Sequence, residues 1–271
     1  KNIIFISYFI IIKYPFRIEN VLQLNKWMNK KDFDFFVHFA SKTKEGKDKE
    51  NKELEKINVK STINIINVIN KKKIKNFKYF LFISTSHVYG FSKKSIKEKK
   101  LRNPNNHYGL SKKKAEDFIL RNKKKFFFKV GIARVFNFTG AKQKRGFIIP
   151  DIFEKIRKNS IIKDMNQYRD FIHIDDVTKS INLILNKQYD NPINISSGKK
   201  INLINVCKII NKIHFKKKLL FEKKRGGDIF GNNSLLKRLG IKKFKNINQS
   251  ISSYKKWKDL FFLEMIDWEI L

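Results

Sequence analysis

The chain has 271 residues, 41% of them hydrophobic and 31% charged. That length can bury a full core as one large domain or two unequal ones, and that balance excludes an intrinsically disordered chain. Lys and Arg number 61 against 24 Asp and Glu, a formal net charge of +37, which by itself would point to nucleic acid or an acidic membrane.

The excess is mostly lysine in short scattered runs, Lys71 to Lys73, Lys123 to Lys125 and Lys216 to Lys218, mixed with abundant Asn, Ile and Phe. These residue types share A/T-rich codons. No arginine cluster, zinc-ligand spacing or stacking-aromatic signature accompanies them. Genome composition is therefore the expected source of the charge, and neither a specific nucleic-acid partner nor a membrane is expected. The one cysteine, Cys207, lies in the apolar pattern "INVCKIINKI" and cannot form an internal disulfide. A reducing cytoplasm and a buried, unreactive thiol are expected, with no metal cluster.

The N-terminal "IIFISYFIII" is too short to span a bilayer, lacks a small-residue cleavage site, and leads into a helical pattern. It reads as a buried strand, Ile3 to Ile12. Helices are expected over Ile18 to Asn29, Asn51 to Asn70 and Ser111 to Asn122. Strands are expected at Phe33 to Phe39, Tyr79 to Ser84 and Lys129 to Val135. Their continuous apolar runs, such as "KYFLFIS", suit a parallel sheet covered on both faces. After about Gly140, "GFIIPDIFEKIRKN" reads as a helix entered through Pro150, and "RDFIHIDDVTKSINLILNK" as a short strand and an Asp-started helix. "PINISSGKKINLINVCKIINKI" repeats strand, turn and helix, and "NNSLLKRLGI" is a short helix closed by Gly240.

In a parallel α/β sheet, ligands bind at the carboxyl ends of the strands. "HFASKT", "STSHVYG" and "FNFTG" fall at three such ends. Tyr108 and Lys112 follow at the start of a helix, where i, i+4 spacing puts both on one face. A nearby ammonium would favour the phenolate and make Tyr108 a general acid/base. The pair by itself reads rather as two side chains one turn apart in a lysine-rich chain. Asp175 and Asp176 read as a helix N-cap and a surface charge, and His38, His173 and His214 as packed or surface residues.

"YFLFISTSHVYG" followed by "NPNNHYGLSKKKAEDFIL" resembles the extended short-chain dehydrogenase/reductase family, in its nucleotide-sugar epimerase, dehydratase and reductase branch. "FDFFVHFAS" resembles that family's "DxVxHLAA" strand, "NVKSTINIINVI" its "NVxGTxNLLEA" helix, and "RVFNFTG" its "RxFNxxG" segment. "RDFIHIDDV" resembles "RDFxxVxD", and "RGGD" resembles "RxGD".

The resemblance implies an NAD- or NADP-dependent enzyme with Thr85, Tyr108 and Lys112 as catalytic residues. Thr85 would bond the reacting sugar oxygen, Tyr108 would move the proton, and Lys112 would bind the nicotinamide ribose and depress the Tyr108 pKa. It implies cofactor contacts from Phe39, Ala40, Ser41, Asn58, Ser84 and Phe136 besides Tyr108 and Lys112. It implies nucleotide-sugar contacts from Ser86, His87, Asn137, Arg169 and Arg225. The fold implied is a Rossmann-like parallel sheet flanked by helices, with residues 1–140 as the NAD(P)-binding domain, residues 170–190 contributing, and residues 141–271 as a smaller mixed substrate lobe. The family commonly pairs as a homodimer through helices that include the one bearing Tyr108.

The sequence departs from the pattern at one place. The glycine-rich phosphate loop belongs between the first strand and first helix, yet the first glycine here is Gly46. The Rossmann-like domain is therefore expected to be N-terminally truncated, with one sheet edge uncovered. Ser86 and His87 stand where dehydratases of the branch carry an acid, which disfavours dehydration. "FNFTGAKQKRGFIIPDI" resembles the "FNHTGxGQxxGFVVPDF" stretch of GDP-4-dehydro-6-deoxymannose reductases. The expectation is reduction of a nucleotide-linked 4-keto-6-deoxy sugar at C4, with 4-epimerisation as the alternative. An inactive remnant and a basic polyanion-binding protein are the rivals from other classes.

Overall fold

The computed structural model describes residues 4–5, 20–28, 33–43, 45–222 and 225–268. The chain begins with β1 (Ile4–Phe5), α1 (Val21–Met28), β2 (Phe35–His38), α2 (Asp48–Leu54), a π-helical segment (Glu55–Lys60) and α3 (Ser61–Lys72). β3 (Tyr79–Thr85) runs into a 3-10 turn (Ser86–Tyr89), and α4 (His107–Asn122), β4 (Lys129–Val135) and β5 (Asn137–Thr139) follow. Then come α5 (Ile148–Arg157), β6 (Tyr168–Arg169), β7 (Phe171–His173), α6 (Ile174–Lys187), β8 (Pro192–Ile195) and β9 (Ile201–Asn202). The last helices are α7 (Leu203–His214), α8 (Ser234–Leu239) and α9 (Ile247–Trp268). These elements form two units, residues 1–90, 98–135 and 181–194 in the first and 91–97, 136–180 and 195–271 in the second.

The main sheet has the order β1-β2-β3-β4-β8. β2, β3 and β4 run parallel, with Phe35 opposite Tyr79, Tyr79 opposite Lys129, and Thr85 opposite Val135. Helices cover both faces, so consecutive residues of β3, Tyr79 to Phe82, are all buried. Each such phenylalanine stabilises the fold by about 2 to 3 kcal/mol relative to an exposed one, and Phe36 and Phe80 stack at 5.2 Å between ring centroids. β1 pairs antiparallel with β2, Ile4 opposite Val37 and Phe5 opposite Phe36. The edge expected to be bare is therefore paired over two residues. The remainder of the expected strand from Ile3 to Ile12 lies outside the described residues.

The single helix expected over Asn51 to Asn70 begins at Asp48 and ends at Lys72, and its middle is π-helical. Two hydroxyls stabilise the wider turn: Ser61 Oγ donates to the Lys56 carbonyl (3.0 Å) and Thr62 Oγ1 to the Asn58 carbonyl (2.8 Å). α4 starts at His107 because Asn106 caps it, its Oδ1 accepting from Gly109 N at 2.7 Å. A Cβ at Gly109 would lie 2.5 Å from the His87 carbonyl, so glycine there lets the helix start approach the turn after β3.

In the second unit, β5 pairs parallel with β7 and β6 antiparallel with β9. Ile149, Ile152, Phe153 and Ile156 of α5, Val206 and Ile210 of α7, and Ile251 of α9 build its core. Pro150 sits in the first turn of α5, and Gly240 closes α8 with φ of 136°, a conformation open to glycine. Cys207 is buried, and burial pushes its thiol up to about 12. Asp175 and Asp176 lie within the first turn of α6 rather than before it. Asp175 is exposed and pairs with Lys245, while buried Asp176 accepts from Lys245 N at 2.7 Å. His214 packs edge-on against Phe153 at 4.5 Å.

Candidate active site

β3 ends at Thr85, and the turn after it carries Ser86 and His87. Thr85 Oγ1 accepts from His87 N at 3.3 Å, which fixes the entry to the turn. The capped start of α4 brings Tyr108 beside this turn, and the Tyr108 and His87 rings meet edge-to-face at 5.9 Å. The hydroxyls of Ser41, beyond β2, and of Thr85 lie close enough to the Tyr108 hydroxyl to act on its pKa. One turn further on, Lys112 is 1% exposed with its Nζ 4.1 Å from the centroid of the Phe82 ring. Thr85, Tyr108 and Lys112, expected from the sequence as a catalytic set, are thus brought together with Ser41.

The electrostatics differ from the expectation that Lys112 depresses the Tyr108 pKa. Burial raises the Tyr108 pKa, and the hydroxyls of Ser41 and Thr85 offset part of that rise. Burial also brings Lys112 down to about 7, against the pull of Glu116. A lysine so placed is only partly charged at neutral pH, and its ammonium lies against an aromatic face. The two hydroxyls, not the ammonium, are what favour the Tyr108 phenolate here. His38, fully buried in β2, is held neutral: burial and then Lys112 push its pKa well below 6.5. Its Nε2 bonds Thr62 Oγ1 at 2.9 Å, and its Nδ1 has no hydrogen-bond partner among the described residues.

Asn58 holds the loop after β2. Its Oδ1 accepts from Lys42 N (2.8 Å) and Ser41 Oγ (3.1 Å), and its Nδ2 donates to the Lys42 carbonyl and Ser111 Oγ, each at 2.9 Å. All four of its hydrogen-bonding positions are used, so Asn58 acts through the loop and α4. Ser84, expected beside the cofactor, donates its side-chain hydroxyl to Glu116 Oε1 at 2.6 Å. Phe39 is half-buried and Ala40 buried between β2 and that loop. Asn106 Nδ2 donates to His87 Nδ1 at 3.0 Å, which leaves the proton of a neutral His87 on Nε2.

Tyr108 and Lys112 supply donors that a reacting oxygen and a nicotinamide ribose need, and Ser41 Oγ an acceptor, so this end of the site fits a dinucleotide. The diphosphate end has no glycine cradle among the described residues. Gly46 is exposed, and a Cβ there would meet only the flexible Glu50 side chain.

The remaining expected site residues belong to the second unit. Phe136 is buried and Asn137 half-buried at the start of β5. Arg169 is 9% exposed and committed to its own surroundings, donating to the carbonyls of Tyr168 (2.9 Å) and Gly227 (2.6 Å) and to Gln167 Oε1 (2.6 Å). Burial lowers its pKa to about 10. It shapes the Gly226–Gly227 loop, whereas Arg225 on that loop is 65% exposed and 3.6 Å from Asp228. Asp170 accepts from Ser197 N and Oγ and from the amides of Gly198 and Gly231, yet burial still raises its pKa to about 6.

Sequence reasoning missed Glu116, Arg134, Ser111 and the closeness of His38 to Lys112. One signal was present: an arginine in the middle of the apolar strand "KVGIARV" has to be paired when the strand is buried. Its partner could not be chosen from a helix in which glutamate reads as a surface charge.

A parallel sheet with Ser/Thr at one strand end and a Tyr and Lys one turn apart on the following helix defines a short-chain dehydrogenase/reductase-like protein. The chain belongs to the NAD dependent epimerase/dehydratase family, which matches residues 15–198, and the family works with NAD or NADP. The chain is similar to YtcB of Bacillus subtilis, described as an uncharacterized UDP-glucose epimerase, with 28% identity over 160 residues, 55% of this chain and 49% of that protein. It is 28% identical over 165 residues to a putative UDP-glucose 4-epimerase of Methanocaldococcus jannaschii, 57% of this chain and 54% of the relative. The chain thus spans about half the length of the curated relatives it matches. Among solved structures, RMD from Pseudomonas aeruginosa complexed with NADPH shares the fold with a TM-score of 0.80 at 22% identity, over 91% of this chain and 88% of that one.

Proposed function

We propose that the chain binds NAD(P) and reduces a nucleotide-linked 4-keto-6-deoxy sugar at C4. The observation that carries this reading is the closeness of the Tyr108 hydroxyl to Thr85 and Ser41 beside buried Lys112. When bound, the cofactor supplies the hydride that C4 receives. Thr85 donates a hydrogen bond to the sugar O4, and Tyr108 gives O4 its proton as the carbonyl is reduced. Tyr108 recovers the proton from solvent. Its raised pKa suits the acid role, since the hydroxyl keeps its proton until O4 develops charge. Lys112 donates to the nicotinamide ribose, Ser41, Phe39 and Ala40 line the same end, and Asn58 and Ser84 act by holding their neighbours.

In the second unit, Phe136 is assigned to the cofactor, Asn137 and Arg225 to the substrate diphosphate, and Arg169 to the loop that presents Arg225. Ser86 and His87 are assigned to the sugar. A second copy of the chain is the proposed partner, through helices that include α4, whose Leu110 is 40% exposed.

The reductive direction is favoured by the stretch "FNFTGAKQKRGFIIPDI". A 4-epimerase is the second reading, favoured by the name of the Methanocaldococcus jannaschii relative, a putative UDP-glucose 4-epimerase. The two separate chemically, because an epimerase returns its hydride and a reductase consumes one per turnover. Calorimetric titration with NADPH and NADH, in salt that suppresses charge-driven binding, comes first. Saturable binding followed by NADPH consumption on a keto-sugar nucleotide supports the reductase. Interconversion of C4 epimers without net oxidation of cofactor supports the epimerase. A folded chain that binds neither dinucleotide refutes both and leaves an inactive remnant, and steeply salt-dependent binding of nucleic acid alone marks a polyanion binder.

A further inference from the structure

The chemistry above does not use the charge buried beneath it. Arg134 is the largest side chain fully buried among the described residues, 2% exposed, and Glu116 is 0% exposed. Glu116 Oε1 accepts from Ser84 Oγ at 2.6 Å and Arg134 Nε at 3.0 Å. Its Oε2 accepts from an Arg134 terminal nitrogen at 2.7 Å and from Arg102 at 3.0 Å. The other terminal nitrogen of Arg134 donates to the Tyr89 hydroxyl (2.7 Å) and the Glu98 carbonyl (2.9 Å).

The network touches three of the segments that deliver site residues: β3, the turn after it and α4. Ser84 precedes Thr85, Tyr89 ends the turn that holds Ser86 and His87, and Glu116 lies one turn beyond Lys112 and two beyond Tyr108 on the buried face of α4. A buried ion pair of this kind adds little net stability over apolar side chains of the same volume. Stability by itself is therefore a weak reason for a carboxylate at this point, whereas its nearness to Lys112 is a specific one.

The groups facing Lys112 are Glu116 on its own helix, His38 from β2 and the Phe82 ring from β3. His38 is neutral and Phe82 uncharged, which leaves Glu116 as the anion acting on the lysine. Facing Glu116 are Arg134 from β4, Arg102 from the segment before α4, and Ser84 from β3.

We propose that Glu116 is a positioning residue for the Tyr108–Lys112 couple: clamped by Arg134, Arg102 and Ser84, it sets α4 against the ends of β3 and β4 and places its carboxylate one turn from Lys112, where it opposes loss of the lysine proton. The use of that couple rests on the function proposed above, but the position and charge of Lys112 do not. The test therefore needs neither cofactor nor turnover. The full chain, labelled with 13C-lysine, is titrated by NMR, and the Lys112 signal is assigned by its loss in Lys112→Arg. A lysine titrating near neutrality stands clear of surface lysines at about 10.4.

In Glu116→Gln, the Lys112 midpoint falls by about 0.5 to 1 pH unit, a threefold to tenfold weaker hold on the proton. Glu116→Gln leaves Arg134 buried without its anion and can unfold, so Glu116→Gln/Arg134→Gln, a neutral amide pair, is measured beside it. A fall in the same direction, smaller because the Arg134 cation is removed as well, is expected there, with faster amide exchange at the start of α4. An unchanged midpoint in the folded variant overturns the proposal. So does a wild-type Lys112 that titrates with the surface lysines, and so does unfolding of both variants, which would assign the pair to structure alone. Loss of dinucleotide binding with an intact Lys112 titration would instead count against the proposed function and leave the role of Glu116 standing.

Discussion

Replacing Lys112 by methionine should stabilise the chain while disabling the site. Lys112 is buried, and its pKa is brought from the ordinary 10.5 to about 7. At about 1.4 kcal/mol per pH unit, that fall is about 5 kcal/mol of discrimination against the ammonium. The unfolded chain keeps this proton up to about pH 10.5, whereas the folded chain releases it from about pH 7. The unfolded state therefore binds more protons between those values, and stability rises with pH across that window. At pH 7 the folded lysine is half protonated, and roughly 4 kcal/mol of the penalty is in force. Methionine has a similar volume and no charge, and it gives up the ammonium contact with Phe82, about 1 to 2 kcal/mol. The variant should gain about 2 to 3 kcal/mol at pH 7, and its lead should shrink by about 1.4 kcal/mol per pH unit toward pH 10. Guanidinium chloride unfolding at pH 7, 8 and 9 measures both quantities. A variant less stable than the wild type at pH 7, or a lead that does not change with pH, refutes the reasoning. Dinucleotide binding, measured by calorimetry, should weaken in the same variant.

Tyr108→Phe removes one hydroxyl that lies beside those of Ser41 and Thr85, so unfolding should show a loss of about 1 kcal/mol while turnover falls about 10²- to 10⁴-fold. Asn58→Ala opens four hydrogen bonds that tie the Ser41–Lys42 loop to α4; a loss of about 1 to 3 kcal/mol and faster amide exchange at Lys42 should follow. Asp170 binds its proton more tightly folded, at about 6, than the ordinary 3.8. Native protein thus holds more protons in that window, and stability should fall by about 3 kcal/mol as pH rises from about 4 to about 6. In Asp170→Asn, denaturation curves across the same window should lose that slope.

The sequence by itself determined the strand and helix alternation from Phe35 to Val135, because residues buried on both faces of a parallel sheet must be apolar without interruption. The resemblance of "STSHVYG" and "HYGLSKKK" to the dehydrogenase/reductase family is what picked out Thr85, Tyr108 and Lys112, since i, i+4 spacing in a lysine-rich chain does not single out a pair. The tertiary structure decided what burial does to those groups. It raised Tyr108 where a neighbouring cation was expected to lower it, because desolvation outweighs a lysine that is itself losing its charge. The structure also gives the side chains of Asn58, Ser84 and Arg169, expected as ligand contacts, protein partners that the sequence did not show. Whether a polar side chain faces a ligand or a neighbour depends on residues 16 to 58 positions away in the chain. No local pattern carries that information. The π turn at Asn58 and the Glu116–Arg134 pair are of the same kind: hydroxyls and charges whose partners only the packed sheet and helices bring within reach.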